Sequence, residues 1–178
     1  MFLIGSASQK NITVLNIFKA EMKKIVAQTV EVCQLGVLVD GDVLYLAKED
    51  SPEPIRLVSF VGKRLPAYCT AIGKALLSDY TYKETIRNLY PDPLRPLTEK
   101  TCTDLKKLYE EYTQSKQDGY FKEEGECSLD LNCFALPIRY NNKNIAAISV
   151  SIPSFRLTEE KKESTNSCTI TCTKRFGT

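Results

Sequence analysis

The stretch Asn132–Ile152 reads NCFALPIRYNNKNIAAISVSI and decides the fold, because two runs with the period of a β-strand flank a polar turn. Asn132–Tyr140 and Ile145–Ile152 are rich in strand-forming residues, and Asn141–Asn144 has the composition of a turn. Since side chains alternate across a strand, one face of the predicted hairpin is bulky and apolar, and the other is mostly small and mildly polar. The second face carries Cys133, Ala135, Pro137, Ile145, Ala147, Ser149 and Ser151.

This small face allows two interpretations. Small residues can let a helix lie close to the sheet, with the serine hydroxyls bonded to backbone groups. They can also leave a cavity that a small polar ligand fills. The hairpin alone leaves both open, because most strand faces only pack against their neighbours.

Helix and strand patterns alternate along the rest of the chain. Apolar residues at steps of three and four predict an amphipathic helix over Ile12–Gln28. Runs rich in β-formers around the turn Asp40–Asp42 predict a first hairpin, and Ile55–Val61 predicts a further strand. The other predicted elements are a short helix from Thr70, a helix over Lys83–Leu89, a helix with N-cap Thr103 that ends at Gly119, and a strand over Tyr120–Glu123.

The C-terminal segment Ser164–Thr178 is rich in Ser, Thr and Cys and shows no helical stripe. Its poor helix propensity predicts an irregular or disordered tail. Hairpins separated by helices predict the α+β class, with a mostly antiparallel sheet flanked by helices.

The segment Thr70-Ala-Ile-Gly-Lys lies at the start of a predicted helix, where free backbone N–H groups and the helix dipole attract anions. Gly73 allows close approach of the backbone, and Thr70 can cap the helix or donate to a ligand. An ordinary cap with a helix-packing glycine is the alternative. The glycine-rich pattern of a phosphate loop is absent.

The acidic run Glu123-Glu-Gly-Glu is a second polar candidate. It could bind a cation or a ligand hydroxyl. A solvated loop over Glu123–Asp130 is the alternative, because carboxylates are mostly exposed in folded proteins.

Composition narrows the class of protein. The chain has 178 residues, 43% of them hydrophobic and 26% charged, as in one ordinary globular domain. Its net charge of +2 shows no bias toward nucleic acid. No apolar stretch is long enough to span a bilayer and no signal peptide is evident, so we expect a cytoplasmic protein without membrane contact.

The residue counts also argue against several kinds of catalytic and metal site. The chain has no histidine, which removes Ser-His-Asp and Cys-His catalysis and the commonest general base. The seven cysteines show no CxxC spacing, so we expect reduced thiols rather than a zinc site or a disulfide framework. The chain is therefore predicted to bind a small molecule, with no catalytic residues, no metal and no cofactor.

Several short segments, taken in order, resemble the effector-binding domain of IclR-family bacterial transcription regulators over about residues 13–163. The Leu-Pro…Thr-Ala-x-Gly-Lys-Ala segment, the Cys-x-Ala-x-Pro strand and the Ile-Ser-Val-Ser strand are jointly specific. The matching segments are Thr29–Val32, Val43–Leu46, Arg64–Leu77, Leu97–Thr98, Gly119–Tyr120, Glu123–Glu124, Asn132–Ile138, Ala146–Ser151 and Arg156–Glu160.

The resemblance implies a GAF-like or profilin-like domain that binds a small organic acid or sugar acid. It implies that backbone groups at Ala71 and Ile72 bind a ligand carboxylate, and that an acidic residue, a cysteine and two strand serines line the pocket. The full predicted ligand site is Thr70, Ala71, Ile72, Gly73, Glu123, Cys133, Ser149 and Ser151.

The resemblance also implies partners and a domain layout. Family members self-associate as dimers or tetramers and join an N-terminal winged helix-turn-helix to the effector domain. Phe2–Gly5 looks like the last strand of that wing. Residues 1–10 are therefore predicted to be a wing and linker remnant, 11–163 the effector domain and 164–178 the tail, with DNA binding only through the missing N-terminal domain.

Departures from the family pattern leave alternatives open. Tyr68 and Cys69 replace a common His and Ala, Asp130 replaces a common Gly, and Asn132 replaces a common Arg. Tyr68 or Asp130 plugging the pocket would favour a structural dimerisation domain without ligand binding. A small enzyme that uses Glu123, Lys74 or Cys133 is a further alternative, against which the missing histidines argue.

Overall fold

The centre of the fold is a six-stranded antiparallel sheet with the order β3-β2-β1-β6-β5-β4. The computed structural model describes residues 2–53, 59–82 and 86–173. The strands are β1 (Val32–Val39), β2 (Asp42–Glu49), β3 (Arg64–Pro66), β4 (Phe121–Glu124), β5 (Leu131–Tyr140) and β6 (Lys143–Pro153). The helices are α1 (Phe2–Thr29), α2 (Ala71–Leu77), α3 (Arg87–Leu89), α4 (Leu105–Asp118) and α5 (Glu159–Thr173).

Both predicted hairpins are confirmed, and each is closed by a two-residue turn. Asp40 and Gly41 have φ values of 51° and 83°, and Asn141 and Asn142 have 50° and 60°. Two consecutive left-handed residues match the twist of the flanking strands, and Asn, Asp and Gly tolerate this conformation best.

The bulky face of the sheet forms one core with the two terminal helices. Helix α1 packs on β1 and β2, and α5 packs on α1, β5 and β6. The buried side chains of this core include Met22, Ile25, Phe134, Ile148, Val150 and Ile152. The alternation predicted for β5 and β6 is confirmed, since Ala135 and Ala147 belong to the other core.

The small face of the sheet lies under α2. This helix packs on β1, β4, β5 and β6, and α4 packs on α2 and β4. A short 3-10 turn, Ala67–Cys69, leads from β3 directly into α2. The first turn of α2 therefore lies against the serines and alanines of the hairpin.

The prediction of a strand at Phe2–Gly5 is wrong, because α1 runs without a break from Phe2 to Thr29. The helix is thus longer than the predicted Ile12–Gln28. Three consecutive apolar residues do not distinguish a strand from a helix, and no proline lies between Phe2 and Gln28 to end a helix.

The prediction of an irregular tail from Ser164 is wrong as far as Thr173, because α5 continues to that residue. Thr165 and Thr169, one helical turn apart, are buried, and the Thr169 hydroxyl donates to the Thr165 carbonyl at 2.7 Å. Tertiary contact and these local bonds outweigh the poor propensity of Ser and Thr. Residues 174–178 lie outside the described residues.

Ion pairs fix the start of the C-terminal segment. The fully buried Glu31 carboxylate, just before β1, pairs with Arg156 at 2.9 Å and with Lys161 at 2.5 Å. These two cations precede and begin α5, so the pairs fix the position of α5 relative to the sheet.

Three smaller predictions also change. Ser59–Val61 is not a strand, and residues 55–58 of the predicted Ile55–Val61 strand lie outside the described residues. Helix α3 covers only the end of the predicted Lys83–Leu89 helix, and residues 83–85 also lie outside the described part. Asp104 rather than Thr103 caps α4, because its carboxylate accepts from Lys106 N–H and Lys107 N–H at 2.7 and 3.0 Å. Gly119, with φ 82°, ends α4 as predicted.

Candidate functional site

A small cavity with polar and apolar walls lies between the small face of the sheet and the start of α2. It has about 20 Å³ of free space, room for about one water molecule. Seven of the eight residues predicted from the sequence line it, and Gly73 does not. The lining residues are Gln34, Tyr45, Ser59, Leu65, Thr70, Ala71, Ile72, Glu123, Cys127, Leu131, Cys133, Ser149 and Ser151.

The strand register sets several predicted pocket residues directly opposite one another on neighbouring strands. Cys133 is the cross-strand neighbour of Ser151 on one side and of Glu123 on the other. Ser149 stands opposite Gln34 in β1. Directly opposed residues of an antiparallel pair have Cβ atoms about 4.5–5.5 Å apart, so these side chains form one continuous polar floor.

A chain of hydrogen bonds crosses this floor. The Cys133 Sγ and Ser151 Oγ atoms lie 3.3 Å apart, and Ser151 Oγ donates to Gln34 Oε1 at 3.5 Å. Gln34 Nε2 in turn donates to Ser59 Oγ at 2.5 Å. The chain joins β5, β6, β1 and the segment before β3, so a ligand that enters must replace some of these bonds.

The Glu123 carboxyl group faces the cavity and is only 2% exposed. Its Oε2 accepts from the N–H groups of Glu126 and Cys127 at 2.9 and 3.4 Å. Burial raises the pKa of Glu123 to about 7, although these two N–H bonds and Cys133 favour the ionised form. Near neutral pH this group can therefore donate or accept a hydrogen bond.

Two neighbouring groups remain protonated at neutral pH. Burial, with the charge of Glu123 nearby, raises the pKa of the Cys133 thiol well above its usual value. Burial also raises the pKa of the Tyr45 hydroxyl. The cavity therefore presents neutral donors and acceptors around one titratable carboxyl group.

The start of α2 forms the opposite wall. Thr70 is the N-cap as predicted, and its Oγ1 accepts from Gly73 N–H at 3.0 Å. Ala71 and Ile72 line the cavity at helix positions whose N–H groups have no acceptor within the helix.

Gly73, the eighth predicted residue, does not line the cavity and lies against the 3-10 turn instead, so its contact with a ligand stays a prediction. A Cβ atom on Gly73 would lie 2.0 Å from the Ala67 carbonyl oxygen. Its role is therefore close backbone packing, the alternative that the sequence left open.

Lys74 lies behind the cavity wall rather than in it. Its buried ammonium group pairs with Glu126 at 2.5 Å and Glu111 at 2.9 Å, beside a wider polar groove between α4 and β4. Burial alone would lower the pKa of Lys74, but the charges of Glu126 and Glu111 outweigh burial and raise it. A lysine that stays charged is a poor nucleophile, which argues against the enzyme alternative.

The two residues suspected of plugging the pocket do not line it. The Tyr68 hydroxyl donates to the Arg95 carbonyl at 2.7 Å, and its ring packs edge-on against Tyr90. Asp130 is exposed at the β4–β5 connection, where its carbonyl oxygen accepts from Ser154 N–H at 2.9 Å. Neither substitution explains the small volume of the cavity.

Six lining residues were missed in the sequence, namely the apolar Leu65 and Leu131 and the polar Gln34, Tyr45, Ser59 and Cys127. In the sequence, Val43 and Tyr45 stand two positions apart in a predicted strand, and this period of 2 is a signal that could have placed Tyr45 on the same face as Val43. Gln34, Ser59 and Cys127 have no such local signal, because distant segments bring them together.

In the described ranges, no group of three or more His, Cys, Asp or Glu side chains could hold a metal ion. Over the same residues, no helix has the length and apolar character needed to span a membrane.

Known proteins with similar sequences identify the family of this chain. Residues 6–175 match the family model for the C-terminal domain of the bacterial transcriptional regulator IclR. The HTH-type transcriptional regulator KdgR of Escherichia coli K12 is 31% identical over 163 residues, which are 90% of this chain and 62% of that protein. The chain thus spans about three-fifths of the length of this curated relative, which is named as a regulator rather than an enzyme.

Solved structures agree with the fold. The crystal structure of the C-terminal domain of E. coli KdgR has a TM-score of 0.78 and 27% identity, covering 91% of this chain and 94% of that one. An IclR homolog from Microbacterium hydrocarbonoxydans, solved as a complex with 4-hydroxybenzoate, has a TM-score of 0.81 and 23% identity, covering 93% of this chain and 68% of that one. With the family-model match over nearly the whole chain, these observations show that the protein belongs to the IclR C-terminal, effector-binding family.

Proposed function

We propose that this chain senses a small organic acid or sugar acid in the cavity and passes its occupancy to an attached DNA-binding domain. The observation that carries the proposal is that seven residues predicted from the sequence line one small cavity, with several polar side chains in its wall. Ligand sites are typically concave, with mostly apolar walls and a few polar groups that converge on the ligand.

The chemistry of the walls favours a carboxylate with further oxygen atoms. The N–H groups of Ala71 and Ile72, with the Thr70 hydroxyl, would bind the carboxylate end of the ligand. Glu123, Cys133 and Ser151 would exchange hydrogen bonds with its hydroxyl or carbonyl groups, and Ser149 would pack against its middle. The bound 4-hydroxybenzoate of the M. hydrocarbonoxydans homolog is an acid of this general kind.

Ligand binding requires the cavity to widen. About 20 Å³ admits about one water molecule, whereas pockets for small organic ligands measure about 300–1,000 Å³. The Gln34–Ser59 and Ser151–Gln34 bonds cross the floor and would have to break. A ligand that favours the widened state shifts the population of the domain toward it, which is the basis for a signal.

The signal would pass through self-association. We propose that the domain forms a dimer or tetramer whose geometry differs between the empty and the bound state, because allosteric coupling requires different ligand affinity in two states. Binding to DNA would occur through a winged helix-turn-helix in another part of the regulator, which places the proposed site of action in the bacterial cytoplasm.

The proposal is tested by calorimetric titration with glyoxylate, pyruvate, glycerate, gluconate and 4-hydroxybenzoate. We expect at least one acid to bind, and Glu123→Gln to weaken its binding at least about tenfold, or about 1.4 kcal/mol, at pH 8, where the wild-type carboxyl group is ionised. Glu124→Gln is the matched control, because Glu124 is the next residue of β4 and is exposed on its other face. Equal affinity of both variants would show that the acid binds elsewhere.

A structural dimerisation domain without ligand binding is the second candidate, and the small volume of the cavity favours it. On this hypothesis none of the acids binds, and the oligomer mass measured by light scattering is the same with and without each acid. A null titration at millimolar concentrations would overturn the sensor proposal and leave this candidate.

A further inference from the structure

Tyr45 of β2 forms part of the cavity wall. The residue is 5% exposed and packs in the same hydrophobic cluster as Ile72 of α2 and Ala147 of β6. Its backbone is bonded on both sides, since Tyr45 N–H donates to the Lys63 carbonyl at 3.1 Å and Gly62 N–H donates to the Tyr45 carbonyl at 2.8 Å. The residue is therefore held firmly in the sheet, with its side chain against the cavity.

The Tyr45 hydroxyl group differs from most polar groups around it, because no described residue forms a hydrogen bond with it. In contrast, Ser151 donates to Gln34 and Gln34 donates to Ser59 across the floor of the same cavity. Buried hydroxyl groups usually have a hydrogen-bond partner. Since the protein supplies none to Tyr45, the partner of its hydroxyl is supplied by whatever occupies the cavity.

We propose that Tyr45 is a specificity-determining residue of the ligand site, which selects acids that carry an oxygen atom besides those of the carboxylate. Its hydroxyl donates to that hydroxyl or carbonyl oxygen, while the N–H groups of Ala71 and Ile72 bind the carboxylate. This inference rests on the proposed sensor function, and it assigns the choice among organic acids to one residue that the resemblance to the family does not name.

The phenol group has the chemistry for this selection. Burial raises the pKa of the Tyr45 hydroxyl, so the group keeps its proton and remains a donor near neutral pH. A bound acid without an additional oxygen would place hydrocarbon against this donor and leave it without an acceptor. A site that hydrogen-bonds a ligand oxygen discriminates against the analogue that lacks it, because the buried polar group then loses its partner.

Tyr112 provides a matched control for the hydroxyl group. It is 1% exposed, and its hydroxyl also has no hydrogen-bond partner in the described part of the chain. It lies in α4 and does not line the cavity. Removal of either hydroxyl breaks no hydrogen bond of the protein, so neither Tyr45→Phe nor Tyr112→Phe should lower the stability of the empty domain. Only Tyr45→Phe should change the selection of ligands.

The test is calorimetric titration of the wild type and both variants with acids paired by their oxygen substituents. The pairs are glyoxylate with acetate, pyruvate and glycerate with propionate, gluconate with hexanoate, and 4-hydroxybenzoate with benzoate. We expect the wild type to bind at least one oxygenated acid more tightly than its counterpart. Tyr45→Phe should weaken the binding of that acid about three- to tenfold and leave the counterpart unchanged, whereas Tyr112→Phe should change neither.

The possible results separate the role of Tyr45 from the sensor function. Equal affinity of the wild type and Tyr45→Phe for an oxygenated acid would overturn the role of Tyr45 and leave the sensor function intact. Equal weakening of both members of a pair would also overturn it, because the selection would be unchanged. If the wild type binds none of the acids, both proposals fail.

Urea unfolding of the empty domain gives a readout that needs no ligand. Tyr45→Phe should unfold at the same urea concentration as the wild type, and circular dichroism checks that the variant is folded. A lower midpoint would show that the hydroxyl is bonded within the domain, and the proposed role would then be wrong.

Discussion

The two faces of the β5–β6 hairpin belong to the same strands, yet they are buried in different ways. On one face Phe134, Ile148 and Val150 pack against α1 and α5 and are at most 1% exposed. On the other face Cys133, Ser149 and Ser151 line a cavity under α2. Both faces are covered by helices, so burial alone does not distinguish a packing face from a ligand face.

The two faces differ in how completely their side chains fill the space under the helices and in whether they carry polar groups. Large branched and aromatic side chains fill the space under α1 and α5 and need no hydrogen bonds. Small side chains leave free space under α2, and their polar atoms are paired with one another across four segments. A face of this second kind is open to remodelling, because its hydrogen bonds can be exchanged for those of a ligand.

The largest expected effect tests the apolar face. Phe134→Ala should lower the free energy of unfolding by about 3–5 kcal/mol, because it removes a fully buried ring and leaves a cavity. Ser149→Ala, its counterpart on the polar face, should cost about 1 kcal/mol or less. Urea unfolding followed by circular dichroism measures both. Equal costs would contradict the contrast between the faces.

The second-largest expected effect tests the buried ion pair between Lys74 of α2 and Glu126. Lys74→Met should cost about 3 kcal/mol, because it leaves the Glu126 carboxyl group buried without its cation. Adding Glu126→Gln should recover part of that loss. Lys122→Met is the control, since its pair with Glu124 is exposed and should contribute about 1 kcal/mol or less. If both lysine variants unfold at the same urea concentration, the buried pair does not support α2.

The Glu123 carboxyl group should make the stability of the domain depend on pH. Its pKa in the folded protein is about 7, above its ordinary value, so the folded state binds the proton more tightly than the unfolded chain. The resulting stabilisation is fully present below the ordinary pKa and is lost as pH rises through about 7. Relative to Glu123→Gln, the wild type should lose about 2–3 kcal/mol between pH 4.5 and pH 8.

The comparison with Glu123→Gln isolates this group, because Glu126, Cys127 and Cys133 titrate in both proteins. Urea unfolding at a series of pH values gives the difference. Parallel pH profiles for the two proteins would show that Glu123 does not titrate in this range.

The smallest effect tests the cap at the cavity wall. Thr70→Ala should cost about 1 kcal/mol, because Gly73 N–H loses its acceptor, and Thr70→Ser should retain most of the stability. Thermal unfolding of the three proteins compares them. Equal melting temperatures for the Ala and Ser variants would exclude a capping role for the hydroxyl.

Local patterns predicted much of the fold and part of the site. The alternation in Asn132–Ile152, the turn at Asp40–Gly41 and the cap at Thr70 each depend on neighbouring residues, and each is confirmed. The part of α5 from Ser164 to Thr173 was missed because its serines and threonines are poor helix formers in isolation. Its stability depends on burial of Thr165 and Thr169 and on the Lys161–Glu31 pair, which are contacts between distant segments.

By itself the sequence determined which residues face the same side of each strand, where α2 begins and which chemical groups are available, because these follow from the period of 2 in a strand and from capping. Only the tertiary structure decided that Gly73 packs against Ala67 and that Gln34 and Ser59 complete the polar floor. The tertiary structure also decided how much free volume remains in the cavity. Free volume and contacts of this kind depend on how distant segments approach one another, and no local pattern records that distance.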